Sequence, residues 1–291
     1  MRRSKDKRKH LSFHKMHALG NDFMVVDAVT QHVNLEPQKI AQWSNRQTGV
    51  GFDQLLVVAP PTISEADFDY QIYNADGTRA QQCGNGTRAV ALFARHQQLS
   101  RKKKLKWHSP AGLLETNYDN PQSIETVMTE PVLSLADIPF AHERAAETPD
   151  SPREFELQAG QDQHFRLTPV SMGNPHAVLF VDDVKTTDVT SIGTLLTRHE
   201  AFPEGVNVGF CQIVDRKFLR LRVFERGVGE TLACGSGACA ALVAARLRGV
   251  VDEQVKVSLP GGKLRISWPG AGSAVTMSGA AVLVFKGELQ L

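Results

Sequence analysis

The chain has 291 residues, 42% hydrophobic and 22% charged, enough to bury one large core or two modest ones and too long for a small disulfide-stapled module. Its net charge of +2 is unevenly spread: residues 1–10 carry Arg2, Arg3, Lys5, Lys7, Arg8 and Lys9 against Asp6, which leaves the remaining chain at +2 − 5 = −3. A weakly acidic body argues against nucleic acid as a partner, and without an apolar run of about 18 residues no membrane span is predicted.

In chain order, the basic start lacks the apolar stretch of a signal peptide, because Leu11–Gly20 is interrupted by His14, Lys15 and His17. Residues 1–12 are expected to be a disordered, solvated extension. Met24–Asp27, Gln54–Val58 and Tyr70–Tyr73 are short, rich in strand-forming residues and bounded by turn residues, which predicts strands. An Ala-rich helix is predicted after Cys83, and Arg101–Lys106 is expected to be an exposed turn. The polar stretch His142–Arg153 reads as a surface loop. Ala177–Val181, Val206–Ile213 and Phe218–Phe224 predict further strands, followed by a second Ala-rich helix after Cys234. Val255–Leu259 and Ala281–Phe285 predict the last strands.

The chain repeats itself once. Cys83-Gly-Asn-Gly-Thr-Arg-Ala and Cys234-Gly-Ser-Gly-Ala-Cys-Ala both set a cysteine before Gly-x-Gly and run into a helix; they lie 151 residues apart. Gly20-Asn21 and Gly173-Asn174 are 153 apart, as are Gln54 and Asn207, and Asn74 and Glu225 are 151 apart. Ordered matches at nearly one offset indicate a duplicated domain. Four cysteines without an export signal favour a reducing cytosol, and without a CxxC spacing or a histidine cluster zinc is not expected. Cys211 and Cys239 fit the default of a small buried hydrophobe.

Three chemistries compete for the paired frames. Gly84-Asn-Gly86-Thr-Arg-Ala89 and Gly235-Ser-Gly237-Ala-Cys-Ala240 match the dinucleotide fingerprint weakly: the first copy has no ribose-binding acid about twenty residues on, and the strand pattern is not βαβ. A cysteine hydrolase needs one nucleophile and a positioned histidine, which leaves the second cysteine unexplained; thiol–disulfide exchange is a minor alternative. Inverting a stereocentre needs a base on one face of the carbon and an acid on the other. Two equivalent cysteines meet that demand. A thiol's free pKa of about 8.5 falls at a helix N-terminus, and helix-start N–H groups can grip a substrate carboxylate and the charge that develops on proton loss. Two thiolates would repel, so one thiolate and one thiol should share the site.

The blocks His17-Ala-Leu-Gly-Asn-Asp-Phe23, Asn74-Ala-Asp-Gly77, Cys83-Gly-Asn-Gly86, Met172-Gly-Asn-Pro-His176, Glu225-Arg226-Gly227 and Ala233-Cys-Gly-Ser-Gly-Ala238 resemble the diaminopimelate epimerase family from about Phe13 to the C-terminus. The resemblance implies an α+β fold of two pseudosymmetric domains, residues 13–128 and 129–279, each a β-barrel-like sheet around a central helix. Strand 280–291 would return to complete the first, with the active site in the cleft between the two. It implies a cytoplasmic homodimer that epimerises LL-2,6-diaminopimelate to the meso form for lysine and peptidoglycan synthesis, without pyridoxal phosphate or metal. Cys83 and Cys234 then correspond to the acid–base pair, with His176 and Glu225 adjusting their pKa values. Gly84, Asn85, Gly235 and Ser236 correspond to the carboxylate cradle. Asn21, Gln54, Asn74, Asn174, Asn207, Glu225 and Arg226 correspond to the pocket for the rest of the substrate. The leading Met1–Ser12 and the segment Thr78-Arg79-Ala80 depart from the family pattern without touching a motif residue.

Overall fold

The computed structural model describes residues 10–80, 83–148, 153–160 and 163–291. It separates into two compact units, residues 1–124 with 280–291, and residues 125–279. Contacts thus change hands at Ile124, a few residues before the expected 128/129. The fold is α+β, with each unit a mostly antiparallel sheet wrapped around one long helix.

The first unit runs β1 (His10–Ala18), β2 (Asn21–Asp27), α1 (Pro37–Ser44), β3 (Gln54–Ala59), β4 (Phe68–Asn74), β5 (Arg79–Ala80), α2 (Gly84–His96), β6 (Lys104–Ser109), β7 (Gly112–Asn120) and β8 (Ser123–Val127), within which the unit ends. β1–β2, β3–β4, β4–β5 and β6–β7 pair antiparallel, while β2–β3 and β4–β6 pair parallel. β3 is buried on both faces. Leu56 and Val58 pack with Ala89–Ala94 of α2, and Leu55 and Val57 pack with Ile40 and Trp43 of α1. A strand covered on both sides has no solvent face to alternate with, so it reads as an unbroken apolar run.

The second unit repeats the plan: β9 (Ala146–Glu147), β10 (Phe155–Ala159), β11 (Gln163–Ser171), β12 (Pro175–Phe180), α3 (Val189–Thr197), β13 (Asn207–Asp215), β14 (Phe218–Glu225), β15 (Gly229–Thr231), α4 (Gly235–Leu247), β16 (Gln254–Leu259), β17 (Gly262–Ser267) and β18 (Thr276–Gly279). β11–β12, β13–β14, β14–β15 and β16–β17 are antiparallel, and β12–β13 and β14–β16 parallel, as in the first unit. The register matches too: Phe23 faces Gln54 in one unit and His176 faces Asn207 in the other, each pair member 153 residues from its counterpart. Residues Ala238–Ala245 of α4 are buried on every side. Alanine allows this, combining the highest helix propensity with a side chain slim enough for strands to close around it. The chain then returns to the first unit, where β19 (Val282–Gln290) pairs antiparallel with β1.

Three sequence expectations change. Of the expected extension, residues 1–9 lie outside the described residues, but His10–Ser12 belong to β1, and Leu11 is 2% exposed opposite Leu289. Arg101–Lys106 is not all turn, because Lys104 and Lys106 alternate outward along β6 while Leu105 points into the core. Within His142–Arg153, residues 142–144 form a 3₁₀ turn and β9 pairs with β10, while residues 149–152 lie outside the described residues. Strands β1, β6, β7, β10, β11, β17 and β18 and the short helices α1 and α3 carried no clear sequence signal.

Candidate active site

In the first unit the predicted residues gather at one end of the sheet. Asn21 opens β2, Gln54 opens β3, Asn74 closes β4, and Cys83 is the N-cap of α2. An N-cap side chain ordinarily satisfies one of the helix's orphan N–H groups with oxygen; here the Cys83 Sγ accepts from the Gly86 N–H at 3.3 Å. Gly84 and Asn85 follow as the first helical residues, so their N–H groups belong to the helix's anion-attracting end. Asn21 Oδ1 lies 3.7 Å from Cys83 Sγ and accepts from Asn85 Nδ2 at 3.4 Å. Gln54 Nε2 donates to Asn74 Oδ1 at 3.2 Å, and Asn74 Nδ2 donates to Thr78 Oγ1 at 3.1 Å. The buried Gln54 Oε1 has no partner among the described residues.

These residues stand on a charged scaffold. Asp53 Oδ2 accepts from Asn21 Nδ2 at 2.9 Å and from the Asp22 N–H at 3.1 Å. Arg46 bridges the two acids, with Nη2 at 2.7 Å from Asp22 Oδ1 and 2.8 Å from Asp53 Oδ1, and Lys15 pairs with Asp22. Hydrogen bonds from both cations hold the Asp22 carboxyl well below the usual carboxylate range. Deeper in, the fully buried Arg88 donates to Asn85 Oδ1 at 2.8 Å and to the Ala280 carbonyl at 3.5 Å. Tyr70, also fully buried, donates to the Cys83 carbonyl at 3.4 Å.

In the second unit Cys234 caps α4 and is 5% exposed. Its Sγ lies 3.7 Å from Ser236 Oγ and hydrogen-bonds Glu225, which also accepts from Thr231 Oγ1. A Cβ at position 237 would lie 3.1 Å from Val223 Cγ2 and 3.2 Å from the sulfur, tighter than ordinary side-chain contact, so glycine here leaves the thiol room to settle against the turn. A helix start lowers a thiol's pKa, but burial and then the Glu225 carboxylate push Cys234 well above its ordinary value. Asn174 Nδ2 reaches Ser236 Oγ at 3.5 Å, and its Oδ1 meets His176 Nε2 at 3.2 Å. Burial, followed by the charge of Arg226, lowers His176 to about 3, so it is neutral. Asn207 Oδ1 accepts from the Arg226 N–H at 2.9 Å, and the Arg226 guanidinium donates to the Glu204 carbonyl. Each unit therefore brings its own share of the predicted residues together around one cysteine.

The sequence pattern described as "Diaminopimelate epimerase" matches residues 13–134 and 168–284. Curated diaminopimelate epimerases of Stutzerimonas stutzeri (strain A1501) and Ectopseudomonas mendocina (strain ymp) are 48% and 47% identical over 281 residues, covering 97% of this chain and 99% of each relative. The chain belongs to the diaminopimelate epimerase family. As a member of this family it is an enzyme, an isomerase of the racemase and epimerase type. The fold is shared more widely. A hydroxyproline epimerase from Agrobacterium vitis superposes with a TM-score of 0.70 at 15% identity, covering 99% of this chain and 94% of that one.

Sequence reasoning missed several residues of this diaminopimelate epimerase family site. Asp22, Arg46 and Asp53 look like ordinary surface charges until β2 and β3 pair and bring them together. Tyr70 reads in the sequence only as a strand residue. Arg88 alone gave a hint, as a charge one turn into a helix that is otherwise apolar.

Proposed function

We propose that the protein interconverts LL- and meso-2,6-diaminopimelate without a cofactor, moving the α-proton between Cys83 and Cys234, and so supplies lysine and peptidoglycan synthesis. The observation that carries this reading is the duplicated frame, in which each unit ends one sheet and starts its central helix at a cysteine N-cap. In one direction the thiolate of Cys83 takes the α-proton from one face of the carbon, and the Cys234 thiol gives a proton to the other face. The thiolate and thiol have then exchanged, and the reverse reaction uses them in opposite roles. Burial and Glu225 keep Cys234 protonated at rest, as a proton donor requires. The Gly86 N–H bond to Cys83 favours the thiolate that must act as base.

The N–H groups of Gly84, Asn85, Gly235 and Ser236 suit an α-carboxylate and the charge that builds on it as the proton leaves. Arg226, Glu225 and the amides of Asn21, Gln54, Asn74, Asn174 and Asn207 would hold the ammonium groups and the far carboxylate. The buried, unpartnered Gln54 Oε1 is an acceptor suited to an ammonium. The diaminopimelate epimerase names of the two curated relatives support this substrate.

The test is incubation with a panel of amino acids in deuterated water, reading α-deuterium uptake. Uptake should be strong with diaminopimelate and weak with lysine, histidine and proline. Cys83→Ala and Cys234→Ala should each abolish epimerisation, whereas Cys211→Ala and Cys239→Ala should retain it. Normal turnover by either of the first two variants would overturn the two-cysteine mechanism.

A further inference from the structure

Asn21 and Asn174 stand 153 residues apart at matching points of the two units, yet their carboxamides are turned opposite ways. A carboxylate can only accept hydrogen bonds, so the edge of Asn21 facing Asp53 is its NH₂, at 2.9 Å. Its oxygen therefore faces Cys83 Sγ at 3.7 Å and Asn85 Nδ2 at 3.4 Å. Asn85 agrees with this direction independently, because the Arg88 guanidinium takes its oxygen and leaves its NH₂ toward Asn21. Asp53 is itself held by Arg46 and by the Asp22 N–H.

The second unit has Pro175 and Val206 where Asp22 and Asp53 would fall, and neither offers a carboxylate. There Asn174 Oδ1 meets His176 Nε2 at 3.2 Å, and its NH₂ reaches Ser236 Oγ at 3.5 Å, beside Cys234. The same residue type thus presents an acceptor to one cysteine and a donor to the surroundings of the other.

We propose that Asp53 is a positioning residue for Cys83, fixing the Asn21 oxygen against its sulfur so that the thiol stays basic enough to take an α-proton. This rests on the acid–base role given to Cys83. The Gly86 N–H and the start of α2 both favour the thiolate, and a thiolate stabilised too far is a poor base. Tyr70, the titratable group reaching the Cys83 residue from β4, stays neutral because burial raises it well above its ordinary value. An acceptor aimed at the S–H favours the protonated form and offsets the donors. If Asp53 is lost, only the 3.4 Å contact from Asn85 Nδ2 still holds the Asn21 oxygen toward the sulfur, and a turn of the carboxamide would add one donor more.

The experiment is peptide-resolved alkylation of the full chain by iodoacetamide across pH, with kcat and KM measured alongside. Asp53→Ala should lower the midpoint for Cys83 by about half a pH unit or more, the equivalent of one modest hydrogen bond. The Cys234 midpoint should stay in place, and kcat should fall severalfold with a smaller change in KM. Asp53→Asn keeps an acceptor oxygen and should recover most of the loss. Should Asp53→Ala fail to fold, Asn21→Leu removes the acceptor directly and must lower the same midpoint. An unmoved Cys83 midpoint in the folded variant overturns the role of Asp53. Turnover by Cys83→Ala would instead remove the proton-transfer role and leave the midpoint shift standing, so the two failures are separable.

Discussion

The Tyr70 hydroxyl occupies the space that a side chain on residue 86 would need. A Cβ built on Gly86 would lie well inside 3.0 Å of it, closer than real Cβ atoms come to a neighbour. Because Tyr70 is fully buried and donates to the Cys83 carbonyl, it cannot retreat without disturbing the start of α2. Gly86→Ala should therefore cost about 1–3 kcal/mol of stability, the usual range for overpacking. Turnover should fall as well, since the displaced turn carries the Cys83 sulfur proposed to move the α-proton. Tyr70→Phe in the same chain should recover part of the loss. Denaturant unfolding of the two single variants and the double variant measures the coupling, and strict additivity would show that the two residues do not compete for this space.

Truncation should separate two parts of the N-terminus. Removing residues 1–9 should leave melting temperature and turnover unchanged. Removing residues 1–12 deletes the Leu11 side chain from the core and its ladder partnership with Leu289. The second cut should cost about 2–5 kcal/mol, the range for losing a buried leucine. Equal melting temperatures for both truncations would show that β1 is held by its later residues alone.

Acid should destabilise the protein earlier than its carboxylates require. Burial lowers His14 to about 4 and His176 to about 3, against 6.5 when unfolded. The unfolded chain therefore takes up protons that the folded chain refuses. Stability is complete above pH 6.5 and declines as pH falls toward 4, by up to about 1.4 kcal/mol per pH unit for a fully shielded histidine such as His176. The His14 ring lies edge-on to Phe93 and near His96, and its strand partner is Lys286. His14→Phe should flatten this decline. Urea unfolding at pH 7.5, 6 and 5 measures the slope, and an identical slope in the variant would clear His14 of any part in it.

Substrate choice should depend on the far end of the ligand, because the reacting centre must be accepted in both configurations. Arg226 is held by its own N–H to Asn207 and by the Glu204 carbonyl, which points to a fixed guanidinium fork. A lysine cannot reproduce a bidentate grip on a carboxylate. Arg226→Lys should lower kcat/KM for diaminopimelate by more than about tenfold, since each 1.4 kcal/mol is a factor of ten. Parallel assays on lysine and histidine should change little. A silent substitution would remove Arg226 from substrate recognition.

The duplication was legible because its most constrained points kept the same residue or a polar side chain of similar kind. Cys83 and Cys234 must cap helices, and Gln54 and Asn207 must open matching strands, so one offset recurs. The resemblance to a known family then supplied roles that spacing alone could not. What stayed hidden depends on strand pairing. Asp22 and Asp53 meet only because β2 and β3 run parallel in one register, and nothing in either local sequence announces the other. The partner of the buried Arg88 charge is likewise visible only once the Ala280 carbonyl comes back to meet it. Leu11 was concealed by its basic neighbours, since a single apolar residue beside a charged run carries no periodicity.

The return of β19 also sets an order of events during synthesis. The second unit is continuous in sequence and is complete once Gly279 has left the ribosome. The first unit emerges earlier but waits longer, because β1 meets its partner β19 only after residues 282–290 have emerged. Until then β1 offers an open ladder edge with Leu11 and Phe13 uncovered on the side that Leu289 later closes. Vectorial synthesis would thus finish the later half first, and the Cys83 half becomes whole only once β19 has paired with β1.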